Sequence, residues 1–397
     1  MTSNNSNYKV LARKYRPQDF SSLIGQDHVV KTLSNEFASR KIPHAFVFTG
    51  IRGTGKTSTA RIMAKALNCL GENNDNTEET VTPCLKCSAC IDIAKGIHPD
   101  VIEMDAASKT GVDDVREIIE NCTYTPSSAR YKIYIIDEVH MLSNSAFNAL
   151  LKTLEEPPSH TKFIFATTEI EKIPLTILSR CQRFDLNKIK SSELSDLLVE
   201  ICAAENIKTD HESIELIAEL ADGSVRDSLS MLDQVQFLCE QNLQIEQVRS
   251  MLGISSKSNN FILFEKLVNG DVEKTIEHLK QLFDKNISAQ KILSNLLDTC
   301  HILATSKIGS GKQKNLDNET LSLIDSILGK IDVSALSRIW QMLLKGVAEL
   351  KVAPDQNKAL EMLVIRICFL EKNFDFKAII SQNGNSENSD QVKKKVI

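Results

Sequence analysis

Ala45-Phe46-Val47-Phe48-Thr49-Gly50-Ile51-Arg52-Gly53-Thr54-Gly55-Lys56-Thr57-Ser58 is the stretch that decides the fold. Its first five residues form an apolar run that predicts a short buried strand, and Ser58 to Leu67 carries apolar residues at helical spacing. Between strand and helix, Gly50 to Thr57 fits G-x-x-x-x-G-K-[ST], a loop that cradles phosphates. Glycines let the backbone turn tightly, so that successive N–H groups and the following helix N-terminus face the β-phosphate. Lys56 adds a point charge toward the β- and γ-phosphates, and the Thr57 hydroxyl is a ligand for Mg²⁺. Out of context the glycines would mark only a turn. With strand, loop and helix in register, Gly50 through Ser58 are the expected binding residues for a nucleoside triphosphate.

A second signal lies downstream. Lys132-Ile133-Tyr134-Ile135-Ile136-Asp137-Glu138-Val139-His140 reads as a central parallel strand ending in two carboxylates. Asp137 is placed to hold the metal, and Glu138 to polarise the water that attacks the γ-phosphate. One acidic pair after a strand says little. After a phosphate loop it points to ATP hydrolysis.

Composition bounds the rest. A chain of 397 residues is long for one core, so two or three domains are expected. Apolar residues make up 42% and charged ones 25%, a soluble balance, and the net charge of -5 argues against wholesale polyanion binding. No apolar run approaches the roughly 18 residues of a membrane span, and Met1 to Asn7 lacks the hydrophobic region of a signal peptide. A cytoplasmic protein whose ten cysteines stay reduced is expected.

Several of those cysteines are grouped. Cys84, Cys87 and Cys90 stand at C-x-x-C-x-x-C spacing, and Cys69 ends the helix after the phosphate loop. Four thiolates suit a closed, structural Zn²⁺ site; an iron–sulfur cluster or unligated thiols are the competing readings.

Other candidates are weaker singly. Pro17 and Gly25 break the backbone on either side of Phe20, Leu23 and Ile24, a plausible collar for a flat base with Tyr15, Arg16 and Pro17 leading into it as expected nucleotide contacts, although alone the stretch reads as an N-terminal turn. Ser108 and Lys109 precede a helix predicted from Val112, a good place to hold a phosphate or simply a cap with a solvated lysine. Lys152, on the polar side of the helix Ser143 to Glu156, is a further phosphate contact or a surface charge. Thr167 and Thr168 end a strand where a hydroxyl can read the γ-phosphate. Arg180 ends a short helix; in a ring or spiral it reaches a neighbour's γ-phosphate, and in a monomer it is a surface arginine.

Taken together, Leu11-Ala12-Arg13-Lys14-Tyr15-Arg16-Pro17, the Gly50 to Thr57 loop, the four cysteines, Asp105-Ala106-Ala107-Ser108, Asp137-Glu138-Val139-His140-Met141, Asn148 to Pro158, Ser179-Arg180-Cys181 and Gly223-Ser224-Val225-Arg226-Asp227 carry a resemblance. The chain resembles the gamma/tau family of bacterial DNA polymerase III, the motor of the sliding-clamp loader among the AAA+ ATPases. The resemblance covers most of residues 8 to 253 and implies an α/β AAA+ module, a helical lid and a collar that builds a five-subunit assembly with delta- and delta-prime-type partners. It makes Arg180 the finger acting in trans and Arg226 the lid residue that senses the γ-phosphate. Two departures stand out: Gly71 to Thr80 lengthens the gap after Cys69, and Gly111 occupies a position that can carry a DNA-contacting lysine.

The expected organisation is a nucleotide module with a zinc knuckle at 69–90 (1–190), a helical lid (191–253), an all-α collar (254–376) entered through a Ser- and Asn-rich linker at Gly253 to Asn259, and a disordered polar tail (377–397). Cys300 and Cys368 lie on apolar helix faces and read as core thiols. The expected function is an ATP-driven clamp loader subunit using ATP, Mg²⁺ and Zn²⁺, with the sliding clamp and primer-template DNA as partners. The alternatives are a branch-migration type of nucleic-acid motor and a non-catalytic scaffold of the same assembly.

Overall fold

Strands whose residues are buried from end to end must be covered on both faces, which is the condition of a parallel sheet between helical layers. Five strands meet here: β1 (Ala45–Thr49), β2 (Val101–Asp105), β3 (Lys132–Asp137), β4 (Thr161–Thr167) and β5 (Gln182–Asp185). Every residue of β1 and β4 is buried, and all pairings are parallel in the order β2-β3-β4-β1-β5. The computed structural model describes residues 9–73, 75–76, 78–238, 244–251, 257–285, 287–309 and 318–372. The expected tail at 377–397, the first eight residues and most of the predicted linker near Gly253 lie outside them.

Register places the chemistry. Thr49 pairs with Thr167 and with Asp185, and Asp105 with Asp137, so the C-terminal ends of the strands lie along one edge of the sheet. Phe46, Phe48, Ile133, Ile135 and Ile164 pack toward the helices Asp27–Ala38 and Lys56–Asn68 on one face. Val47, Tyr134, Ile136, Phe163 and Phe165 pack toward Val112–Cys122 and Asn144–Glu155 on the other.

Two elements differ from the sequence pattern. β5 has a single buried residue, Phe184, and its pairing with β1 is what makes it a strand. Ser88–Lys95 is helical, so the last cysteine of the triplet sits in a helix capped by Cys87.

The chain divides into two compact units, Met1–Ile245 and Glu246–Ile397. In the first, the sheet is followed by helices Ser191–Glu205, His211–Leu220 and Val225–Leu238. The second is helical: Lys257–Val268, Val272–Asp284, Ala289–Lys307, Asn318–Lys330, Val333–Val352 and Gln356–Lys372. The first of these begins inside the stretch read as linker, and its buried Phe261, Phe264 and Leu267 explain why. Cys300 and Cys368 are buried in this unit's apolar core. Among the described residues no helix is long and apolar enough to cross a membrane.

Candidate functional site

The phosphate loop leaves β1 at Gly50 and closes at Gly55, whose φ of +99° caps the helix Lys56–Asn68. A left-handed backbone at this point suits glycine, because a Cβ there meets the following carbonyl. Lys56 is 5% exposed and lies folded over the loop, with Nζ donating to the carbonyls of Gly50 at 3.0 Å and Ile51 at 2.9 Å. Burial holds its ammonium below the usual lysine range, against the opposing pull of Glu138 and Asp137. The cation is therefore preorganised on acceptors weaker than the phosphate oxygens it would meet.

The two carboxylates after β3 part company. The Thr57 hydroxyl donates to Asp137 Oδ2 at 2.6 Å. Burial pushes the Asp137 carboxyl up, opposed by that hydrogen bond. A hydroxyl and a carboxylate at contact distance form a hard oxygen donor pair of the kind Mg²⁺ takes, and a dication would offset the burial of Asp137. Glu138 has a left-handed backbone, φ +47°, which turns its side chain toward the end of β4. There Oε2 accepts from the Thr168 N–H at 3.2 Å and the Thr168 hydroxyl at 3.0 Å. Lys56, Thr57, Asp137, Glu138 and Thr168 are thus joined in one site.

The lid helices reach the same loop. Arg226 is exposed, and its backbone N–H donates to the Gly53 carbonyl at 3.4 Å. Ser224 is buried against Gly53 so closely that a Cβ on Gly53 would stand 1.9 Å from its Oγ. The N-terminal segment is fastened to this layer too, through Leu11 N–H to Asp233 Oδ2 at 2.7 Å and Tyr15 to Glu205. That bond raises the Tyr15 hydroxyl to about 12. Arg16 is held below the usual arginine range by burial and by its neighbours Arg61 and Arg226. Tyr15, Arg16 and Pro17 are half-buried beside the lid.

The partners of Arg180 lie outside the phosphate loop: its guanidinium pairs with Glu155 and donates to the Thr176 carbonyl at 2.6 Å. Ser108 and Lys109 are exposed at the wall of a 300 Å³ groove beside β2, where the Ser108 hydroxyl bonds to the Asp105 carbonyl. Lys152 is exposed on the helix Asn144–Glu155.

The four thiols converge. One sulfur from each of Cys69, Cys84, Cys87 and Cys90 lies within 4.8 Å of the other three, despite the inserted Gly71 to Thr80. Tetrahedral zinc with bonds of about 2.3 Å requires sulfurs about 3.8 Å apart, so the set fits with a small contraction. Backbone N–H groups of Cys84, Cys87 and Cys90 already point at sulfurs, at 3.3, 3.3 and 3.4 Å. Arg130, which the sequence did not single out, fastens this module to the nucleotide helix by donating to the carbonyls of Leu67, Cys69 and Asn76.

A parallel sheet of this order, a phosphate loop after β1, split carboxylates after β3 and a helical lid on the loop define an AAA+ ATPase module. Three family profiles match in succession: "DNA polymerase III, delta subunit" over residues 25–190, "DNA polymerase III clamp loader subunit, ATPase lid domain" over 193–240, and "DNA polymerase III subunits gamma and tau domain III" over 243–382. DNA polymerase III subunit gamma of Buchnera aphidicola subsp. Schizaphis graminum is 41% identical over 91% of this chain and 98% of its own length. DNA polymerase III subunit tau of Escherichia coli is 39% identical over 90% of this chain and 55% of its own. The chain belongs to the gamma/tau family of DNA polymerase III clamp loader subunits. Among solved structures, Thermotoga maritima RuvB, a Holliday junction branch migration motor, aligns over 83% of this chain and 90% of that one at 16% identity and a TM-score of 0.45.

Proposed function

We propose that ATP bound at the Gly50 to Ser58 loop and hydrolysed there opens a ring-shaped sliding clamp, loads it on primed DNA and releases it, as part of the DNA polymerase III holoenzyme. The observation that carries the reading is the joined set of Lys56, Thr57 and Asp137, with Thr57 Oγ1 2.6 Å from Asp137 Oδ2. A scaffold subunit has no use for that set.

Lys56 exchanges its two loop carbonyls for β- and γ-phosphate oxygens, and the loop N–H groups hold the rest of the triphosphate. Mg²⁺, held by Thr57 and Asp137, would neutralise and align those phosphates. Thr168 lies where its hydroxyl can leave Glu138 for the γ-phosphate, which frees Glu138 to take the proton of the attacking water. Arg226 reads the γ-phosphate from the lid, and Tyr15, Arg16 and Pro17 border the base. Arg180 faces its own Glu155 and not its own loop, in keeping with a finger supplied to a neighbour. Zn²⁺ on the four cysteines is structural, because a closed thiolate set leaves no position for substrate.

The partners we assign are delta- and delta-prime-type subunits in a hetero-pentamer, the clamp, and primer-template DNA approached by Ser108, Lys109 and Lys152; the compartment is the cytoplasm. The test is ATPase activity of the chain alone and with its partner subunits, with and without clamp and primed DNA. Stimulation that needs clamp and primed DNA together supports the loader; stimulation by any duplex, or wild-type hydrolysis by Lys56→Ala, refutes it.

A further inference from the structure

One buried side chain beside the hydrolytic carboxylate is unused by the account above. His140 follows Glu138 in the short turn Val139–Met141, and its side chain is 6% exposed. Nδ1 lies 3.0 Å from Thr167 Oγ1 and 3.5 Å from Glu138 Oε2, while Nε2 lies 3.4 Å from Glu169 Oε1. The ring cannot drift, because its partner is itself fixed. Thr167 is fully buried, and its Oγ1 also accepts the Glu169 N–H at 3.0 Å. The Glu169 carboxylate is tethered in turn to Lys172 at 2.9 Å.

We propose that His140 is a positioning residue for Glu138, tying the carboxylate to the turn Thr167–Glu169 at the end of β4. Two hydrogen bonds, from the Thr168 N–H and the Thr168 hydroxyl, meet at Oε2, and the His140 ring, held by Thr167, stands beside the same oxygen at 3.5 Å. In this proposal those neighbours orient the carboxylate through Oε2 and leave Oε1 to act as the base. When the Thr168 hydroxyl turns to a γ-phosphate, the imidazole is the side-chain neighbour that stays with Oε2. The base then keeps its orientation as the other contact is withdrawn. The residue touches no phosphate in this scheme, so it affects the chemical step and not nucleotide affinity. A histidine serving only the core would instead be felt in folding stability, with no preference between kcat and KM.

The proposal rests on Glu138 being the general base, and Glu138→Gln tests that separately. In the assembled loader with clamp and primed DNA, Glu138→Gln should bind a fluorescent ATP analogue and fail to hydrolyse ATP. Misplacing a catalytic group by a fraction of an ångström to an ångström lowers turnover by about ten- to a hundredfold. His140→Ala should therefore lower kcat about tenfold or more, with KM and analogue Kd within about twofold of wild type. His140→Asn, which keeps a polar amide near Thr167, should recover most of that loss. Glu169→Gln, an exposed change that leaves the core intact, should give a smaller fall in kcat alone, and its effect should vanish in the His140→Ala background. Wild-type kcat in His140→Ala alongside an inactive Glu138→Gln overturns the proposal. So does an equal loss in the Ala and Asn variants accompanied by lower melting temperatures, or a wild-type Glu169→Gln where the histidine variants do not fold. Hydrolysis by Glu138→Gln at the wild-type rate removes the base itself, and both assignments fall.

Discussion

Gly53→Ala separates the shape of the phosphate loop from its charge. Gly53 has a φ of +83°, and a methyl there would stand 1.9 Å from Ser224 Oγ and 2.9 Å from Ser224 Cβ. Ser224 is badly placed to retreat: it is 2% exposed, its Oγ accepts the Asp227 N–H at 3.1 Å, and its carbonyl accepts the Ser228 N–H at 3.1 Å. An L-residue in the left-handed region costs about 1–2 kcal/mol by itself. Relieving the overlap then requires the loop, or the start of the helix Val225–Leu238, to shift. Gly96→Ala is the control, since Gly96 has φ +71° but nothing within 4 Å of the added carbon. Both variants should lose a few degrees of melting temperature from the backbone term. Only Gly53→Ala should lose ATP affinity, by about tenfold or more if some 1.4 kcal/mol is needed to restore the bound loop. Titration of the chain with a fluorescent ATP analogue, alongside thermal melts, measures both quantities. Analogue affinity within about twofold of wild type in a Gly53→Ala protein that melts like Gly96→Ala would refute the coupling of loop and lid.

Three further outcomes are expected. Arg180→Ala should leave analogue affinity of the isolated chain unchanged and lower ATPase of the assembly by about a thousandfold, as loss of an arginine finger does; equal loss in the isolated chain would contradict action in trans. Metal analysis should find one zinc per chain, and Cys84→Ser should abolish it and lower the melting temperature, while a wild type without zinc or zinc retained in full by the variant would exclude the thiol set. His98 is buried, its Nδ1 accepts the Asp100 N–H at 3.1 Å, and burial holds the imidazole below its usual range. As pH falls below about 6.5 the unfolded chain takes up the proton first, so this stability is full above that pH and lost on acidification. His98→Asn should therefore flatten the loss of melting temperature between about pH 7.5 and 5.5, and an unchanged slope would show that the proton is bound elsewhere.

How much of this was legible in the sequence depends on where each interaction is closed. The loop and its strand are local: glycine spacing, Lys56, Thr57 and an apolar run suffice, and the structure adds only where Lys56 rests. The separation of Asp137 from Glu138 is less local, since both follow one strand and only the left-handed backbone at Glu138 sends them to different partners. β5 could not be read, because Gln182, Arg183 and Asp185 carry no strand signal and the pairing comes from β1. Ser224 against Gly53, Arg130 on the carbonyls of the four-cysteine module and His140 against Thr167 are contacts across 27 to 171 positions in sequence. Nothing in composition or periodicity distinguishes them from a cap, a surface charge or a core histidine.

The same distinction bears on why the site reads as half of a larger one. Arg180 is neither buried nor idle. It is paired with Glu155, and the two side chains are 31% and 50% exposed. An ion pair that open contributes at most about 1 kcal/mol and is screened by salt. In the proposed assembly, exchanging Glu155 for a neighbour's triphosphate, which brings more charge and bidentate acceptors, would therefore be favourable. Lys56 stands in the opposite condition, buried, desolvated and resting on two neutral carbonyls, so its exchange waits only for nucleotide. Under the proposed assignment, one of the two cations waits for ligand and the other for a neighbouring subunit, so hydrolysis that needs both would need the assembly.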